Sequence, residues 1–234
     1  MDVTSETDLQ SSVTSANGLS TLRFARQFPT DFTKWYAAIK VKSDPAYDAV
    51  FRELEESDLP LLDIGCGMGV LAFYLSSRGF SHPVKGFDYD ESKIDDAKAV
   101  HESCYSDHVM EFSSGDAREG LPKHLGSVTI LDILQYFSEG ETEALLRSAA
   151  RCVAPGGKLI IRSGLADDGM RFRVTSAVDR FARKIGWMQG LPVRYPTADE
   201  FRNVLESEGL VGEVRPLWGK TPFNNFLISY RREG

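Results

Sequence analysis

Three aspartates and a run of glycines carry the types and spacing in this 234-residue chain that suggest chemistry. LLDIGCGMG (61–69) takes an apolar run straight into a glycine-rich turn, where backbone can approach a ligand closely. A dinucleotide site would need G-x-G-x-x-G. Here the third glycine, Gly69, arrives one residue early, and Asp63 stands two residues before Gly65. A carboxylate there repels pyrophosphate but suits a ligand that carries an ammonium group; a ligand-free structural turn is the alternative. Asp88 closes VKGFD, nineteen residues after Gly69, where an acid in a doubly wound sheet accepts from both hydroxyls of a ribose. In Ser114-Gly115-Asp116-Ala117, a carboxylate at the strand end can accept from an adenine amino group while the next backbone N–H donates to the ring. Singly, such acids are ordinary solvated turn residues. In order, at the ends of three successive strands, they describe one site for an adenosine that also bears a positive charge.

The elements that must position these residues alternate regularly over 60–163. PLLDI, VKGFD, HVMEF (108–112), VTILDIL (128–134) and KLIIRS (158–163) read as strands, the fourth uninterrupted and apolar as for a strand buried on both faces. Asp90 is placed to cap a helix whose buried positions recur at Ile94, Ala97, His101 and Cys104. Ser138 and Glu141 form a capping box ahead of the stripe Leu145, Leu146, Ala149, Ala150 and Val153. This rhythm predicts a parallel sheet with helices on both faces. A second capping box, Thr197 to Glu200, opens a helix ending near Gly209; VGEVRPLW (211–218) and NNFLISYRR (224–232) then form a hairpin. Upstream, Leu22, Phe24, Phe28, Phe32, Trp35, Tyr36 and Ile39 crowd two helices split at Pro29, and Asp44-Pro45 opens a third. Residues 1–20, polar and poor in large apolar side chains, read as a mobile tail, 21–58 as a helical cap, and 59–234 as the ligand-binding domain with a helical insertion at 170–195.

Composition narrows the function. With 42% hydrophobic and 26% charged residues the chain is an ordinary globular protein. No apolar run approaches a membrane span and no leader is visible, so the expectation is a cytoplasmic protein. Cys66, Cys104 and Cys152 form no C-x-x-C pair, which argues against a zinc knuckle or a disulfide framework, and no metal is expected. A net charge of −7 disfavours nucleic acid as the partner. The segment 171–194 runs the other way. Arg171, Arg173, Arg180, Arg183, Lys184 and Arg194 face one acid, Asp179, for a net +5 that leaves −12 elsewhere. Either this is a solvated helical face, or it receives an anionic small molecule or an acidic partner such as an acyl carrier protein.

Taken together, these motifs resemble those of the class I S-adenosylmethionine-dependent methyltransferases. LLDIGCGMG is similar to the family's first motif, GFDYD to its second-strand acid, SGDA to its adenine contact, VTILDILQYF to its fourth-strand motif and VAPGGKLII to its turn into the fifth strand. The resemblance implies a Rossmann-like doubly wound sheet of order 3-2-1-4-5-7-6 with strand 7 antiparallel. S-adenosylmethionine would be the cofactor. Asp63, Gly65, Cys66, Gly67 and Gly69 would line its methionine part, Asp88 and Tyr89 hold its ribose, and Asp116 and Ala117 its adenine, with Asp132 of the fourth-strand motif in the same set. From the cap, acting as a lid, Tyr36 and Lys40 would reach its carboxylate; simple packing of the cap on the sheet is the alternative. RYPTADEFRNVLESEGL followed by RPLWGKTPFNNFLI is similar to small bacterial methyltransferases of secondary-metabolite pathways.

Signals for the methyl acceptor are mostly exclusions. Asp132-Ile-Leu-Gln135-Tyr136-Phe137 departs from the (N/D)PP(Y/F) of enzymes that methylate base amino groups, and Cys152 reads as core. His82, His108 and His124 precede strands and His101 lies mid-helix, away from the strand ends where ligands bind. No catalytic acid or base is assigned. Gln135, Tyr136, Trp218, Phe223 and Asn224 are the candidate acceptor contacts. A small organic acceptor, aromatic or carrier-tethered, is expected. The rival reading is a subunit that binds the cofactor without turning it over and regulates or scaffolds a partner.

Overall fold

The computed structural model describes residues 21–166, 193–219 and 224–234. The tail, nearly all of the 170–195 insertion and Phe223 lie outside the described residues. Seven strands form one sheet: β1 (Leu61–Ile64), β2 (Val84–Asp88), β3 (Met110–Ser114), β4 (Ser127–Leu131), β5 (Lys158–Gly164), β6 (Leu210–Pro216) and β7 (Asn225–Arg232). Their order is β3-β2-β1-β4-β5-β7-β6. The first five are parallel, and β7 runs antiparallel between β5 and β6. Leu61 pairs with Val84 on one side and Ser127 on the other, so strand order reverses about β1. That reversal opens the crevice at which such sheets bind ligands.

Period-two alternation sends Leu61 and Asp63 to one face of the sheet, Leu62 and Ile64 to the other. On the first face lie α1 (Asp31–Ser43), α2 (Ala46–Leu54), α3 (Val70–Ser77) and α4 (Glu91–Cys104), around a core of Val50, Leu54, Phe73, Ile94 and Phe112. α5 (Glu139–Arg151) and α6 (Ala198–Ser207) cover the second, where Leu145, Leu146, Phe201 and Leu205 meet Ile130, Ile161 and Ile228. Both expected capping boxes form, at Ser138 and at Thr197, and Asp90 caps α4. Among the described residues no helix is long and apolar enough to cross a membrane.

Several boundaries differ from the sequence reading, each for a physical reason. The third strand begins at Met110 and ends at Ser114, two residues late, because its register follows β2. The fourth stops at Leu131 although the apolar run continues, since Asp132 takes a left-handed conformation (φ 61°) and Leu134–Tyr136 form a 3-10 turn. The buried face of α4 is Ile94, Ala97 and Val100; His101 is half-buried and Cys104 exposed. Cys152 is half-buried rather than core. Pro45 itself occupies the cap of α2, although the Asp44 carboxylate does accept the Ala46 N–H (3.0 Å). The N-terminal aromatics divide: Phe24 and Phe28 enter the core, Phe28 edge-on to Phe73 (6.1 Å), while Phe32, Trp35 and Ile39 face solvent.

Candidate functional site

The loop from β1 to α3 follows from its glycines. Gly65, Gly67 and Gly69 have φ of 78°, 54° and 77°, a region that costs any L side chain. A Cβ on Gly65 would stand 2.6 Å from Ile133 Cγ2, and one on Gly69 2.8 Å from Phe73 Cε2. At Gly67 it would meet nothing closer than 3.9 Å, so this middle glycine leaves its approach open. The Gly65 and Cys66 amides donate to the Phe87 carbonyl (2.7 and 3.2 Å), which ties the loop to the end of β2. Asp88 completes the tie: its Oδ2 accepts the Gly67 N–H (2.8 Å) and its Oδ1 the Asp90 N–H (2.9 Å).

Beneath the loop, Asp63 is 2% exposed and accepts the Thr129 hydroxyl at 2.7 Å. Burial pushes its carboxyl up to about 7; the Thr129 hydrogen bond opposes the rise and the charge of Asp88 adds to it. No cation pairs with it among the described residues. A positively charged ligand set against this acid would favour its ionised form. Burial also pushes the Cys66 thiol well up, so it stays neutral and is no nucleophile.

The other site residues fall into two further groups. Asp116, after β3, accepts the Arg118 N–H (2.9 Å) and pairs with its guanidinium (3.1 Å); Arg118 continues to the Tyr136 carbonyl (3.1 Å) and Glu141 (3.1 Å) and lies over the Phe137 ring. Ala117 is half-buried beside it, and Tyr89 is 65% exposed. In the second group, Asp132 binds Lys40 of α1 (Oδ2 to Nζ, 3.1 Å) and pairs through Oδ1 with Arg162 of β5. Lys40 and Arg162 both also reach Asp44 (3.3 and 3.4 Å). Burial works against the Lys40 ammonium, but Asp132, the two tyrosines Tyr47 and Tyr36, and Asp44 outweigh it and hold its pKa above the ordinary lysine value. Burial raises the Asp132 carboxyl, yet Arg162 and Lys40 together keep it below the usual range.

The acceptor candidates are more scattered. Gln135 folds back, its Nε2 donating to the Asp132 carbonyl (2.7 Å), and its own carbonyl accepts the Val193 N–H (2.7 Å). Tyr136 is half-buried against the second core. Asn224 is 2% exposed and spends its amide on the Leu165 carbonyl (2.9 Å), tying the start of β7 to the end of β5. Trp218 stands edge-on to Phe226 (6.2 Å) in the β6–β7 loop. Every histidine lies away from the glycine loop, His108 against Ser76 (2.9 Å), His101 on the His108 carbonyl and His124 on the Ser127 carbonyl.

Residues 61–157 match the family model described as a methyltransferase domain. The ubiquinone biosynthesis O-methyltransferase of Pseudomonas syringae pv. tomato is 30% identical over 100 residues, 42% of this chain and 41% of that protein. Its Pseudomonas aeruginosa namesake is 29% identical over 102 residues, 43% and 42% of the two chains. Residues 61–157 are thus similar to methyltransferase domains. The likeness spans about two fifths of those curated relatives, and the family match itself runs from the start of β1 to the residue before β5. Solved structures extend the class I fold over nearly all of the chain. Magnesium protoporphyrin IX methyltransferase from Synechocystis PCC 6803, solved with bound SAH, superposes with a TM-score of 0.63 at 19% identity, covering 92% of this chain and 94% of that one. The pyocyanin biosynthetic protein PhzM gives 0.65 at 17% identity, covering 90% and 61%.

Sequence reasoning about the candidate site missed Thr129, Arg118, Asp44 and Arg162. A threonine in VTILDIL and a lone arginine in KLIIRSG carry no motif, and their roles arise only when β4 lies beside β1 and β5 beside β4. The one available signal was a charged residue in the middle of an otherwise apolar strand, since burying a charge costs several kcal/mol unless it is paired.

Proposed function

We propose that this chain is a cytoplasmic enzyme that binds S-adenosylmethionine in the β1–α3 crevice and directs its methyl group to a small organic acceptor. The observation that carries the reading is the pairing of Asp63, buried and without a cation partner among the described residues, with a glycine loop tied at Gly67 to Asp88 and open there. When bound, the cofactor supplies an activated methyl group on a sulfonium. Asp63 would face its ammonium, Asp88 its ribose hydroxyls, and Asp116 with the Ala117 N–H its adenine. The Lys40 ammonium has three donors, of which Asp44 and Asp132 take two; the third is the partner for the cofactor carboxylate. What remains for the protein is alignment, worth on the order of 7–11 kcal/mol when two reactants are held in line.

The names of the relatives support a small ring-bearing acceptor. The basic character of segment 171–194 supports an anionic or carrier-tethered acceptor, since its described residue Val193 bonds the Gln135 carbonyl while Leu165 bonds Asn224. Incubation with methyl-labelled S-adenosylmethionine and a desalted extract of the source cells, against boiled protein, tests the reading. Label in the solvent-extractable fraction is expected. Label on a small acidic protein, released by mild base, would select the carrier-tethered form. Tight binding of the cofactor with no labelled product from any fraction would overturn the enzyme in favour of a silent, partner-regulating subunit.

A further inference from the structure

β5 lies between β4 and β7, and its Leu159, Ile160 and Ile161 are fully buried. A guanidinium at position 162 of such a strand, 11% exposed, is costly unless paired and hydrogen-bonded. Its Nε–H is buried without an acceptor among the described residues, which raises that cost. An apolar residue would serve the sheet better, so the arginine answers to something other than packing. Its contacts show what. Arg162 pairs with Asp132 and Asp44, and Lys40 bridges the same two carboxylates, so two cations and two anions alternate with no net charge. The four residues come from α1, the α1–α2 junction, the turn after β4 and β5.

The main chain adds a second hold, because the Asp132 N–H donates to the Arg162 carbonyl (3.1 Å). Asp132 is the one non-glycine residue with positive φ among the described residues, a conformation that persists only where the surroundings over-determine it. The left-handed turn sends Ile133 back onto Gly65 of the glycine loop, and Gln135 closes it on the Asp132 carbonyl.

We propose that Arg162 is a positioning residue: it fixes the Asp132 turn against Gly65 and seats Lys40, so that α1 and the glycine loop meet the cofactor as one unit. This rests on the cofactor reading above. The test compares Arg162→Met, Arg162→Lys and Lys40→Met by calorimetry with S-adenosylhomocysteine, by thermal melting, and by hydrogen exchange over 31–43 and 132–136. Removing the guanidinium leaves three members with a net −1. Arg162→Met is expected to bind at least tenfold more weakly and to exchange faster in both segments, with Arg162→Lys recovering most of the affinity. The double variant Arg162→Met with Lys40→Met should lose less than the product of the two single losses, because both cations act through the same carboxylates. A purely structural arginine would lower the melting temperature and leave the affinity of the folded protein unchanged; that result, or strictly multiplicative losses, would overturn the proposal. Should Arg162→Met fail to fold, Arg162→Gln, which keeps a donor but not the charge, takes its place with the same loss expected; wild-type affinity and unaltered exchange over 132–136 in Arg162→Gln would overturn the proposal. If the wild-type protein binds no S-adenosylhomocysteine, the cofactor reading fails and takes this proposal with it, whereas a variant-specific null against a binding wild type refutes the Arg162 role alone.

Discussion

The ionisation of Asp63 should be visible in ligand affinity. In the free protein its carboxyl is pushed up to about 7, by burial first, against which the Thr129 hydroxyl works, with the Asp88 charge adding to the rise. A ligand ammonium set against it favours the ionised form. Below pH 7, binding therefore has to release a proton, and the association constant should climb about tenfold per pH unit. Between pH 5 and pH 7 the gain is up to ~100-fold, or about 2.7 kcal/mol at 1.36 kcal/mol per unit. At higher pH affinity should fall again, as the ligand's own α-amino group loses its proton. The groups near Asp63 do not imitate this profile. Cys66 stays neutral, Lys93 is held charged by Asp88 and Asp90 against the cost of burial, and the histidines sit away from the loop. The assay is calorimetry with S-adenosylhomocysteine in two buffers of different ionisation enthalpy, which counts released protons directly. Wild type should release close to one proton at pH 5.5 and Asp63→Asn none, with the variant's affinity flat from pH 5 to 7. The same acid makes the unliganded fold less stable as pH rises. Its native pKa lies above the unfolded value near 3.8, so stability present at low pH is lost progressively between about 4 and 7. Asp63→Asn should thus gain in unliganded melting temperature relative to wild type above pH 7. Equal proton release and identical pH profiles in the two proteins would refute the argument.

Four other substitutions separate structure from binding. Gly65→Ala combines a handedness cost of about 1–2 kcal/mol with the clash on Ile133, whereas Gly67→Ala has room and should show the first cost alone; thermal melts should rank Gly65→Ala clearly lower. Asp88→Ala removes the acceptor of the Gly67 N–H and should abolish calorimetrically measurable cofactor binding; unchanged affinity would remove Asp88 from the ribose site. Glu53 takes hydrogen bonds from Lys158 (2.9 Å), Arg215 (2.7 Å) and Ser229 (3.0 Å), clamping α2 to β5, β6 and β7. Burial pushes its carboxyl up, but these donors outweigh burial and hold it below the ordinary glutamate value. Its stabilisation is therefore present above the usual carboxylate range and lost as pH falls through its native pKa. Glu53→Gln should cost roughly 1 kcal/mol at pH 7, after allowance for solvent screening, and nothing in acid, as read by paired melts at pH 7 and pH 3.

The residues that could be read from the sequence are those whose signal is local. LLDIGCGMG announces a strand, a left-handed turn and a helix within nine residues, and Asp88 and Asp116 follow at strand ends that hydropathy alone locates to within two residues. The misread residues all answer to something distant in the chain. VTILDIL looks like a strand through Leu134 because nothing in it breaks the apolar run; Arg162, thirty residues on, breaks it by holding Asp132 with side chain and main chain together. Asn224 reads as a candidate acceptor contact, and nothing local shows that its amide satisfies the Leu165 carbonyl and lets it be buried. Lys40 is the instructive intermediate. Its type and position suggested a ligand carboxylate, and the structure has it already engaged by two protein carboxylates that Arg162 shares. A lysine bound in that way sits in a defined place before any ligand arrives, and an ammonium that need not be ordered on binding loses less conformational freedom than one reaching from solvent. The ion cluster is thus poorly explained as glue for the N-terminal helices, for which apolar contacts at Phe28, Val50 and Leu54 already serve, and better explained as the device that sets one donor at the edge of the crevice.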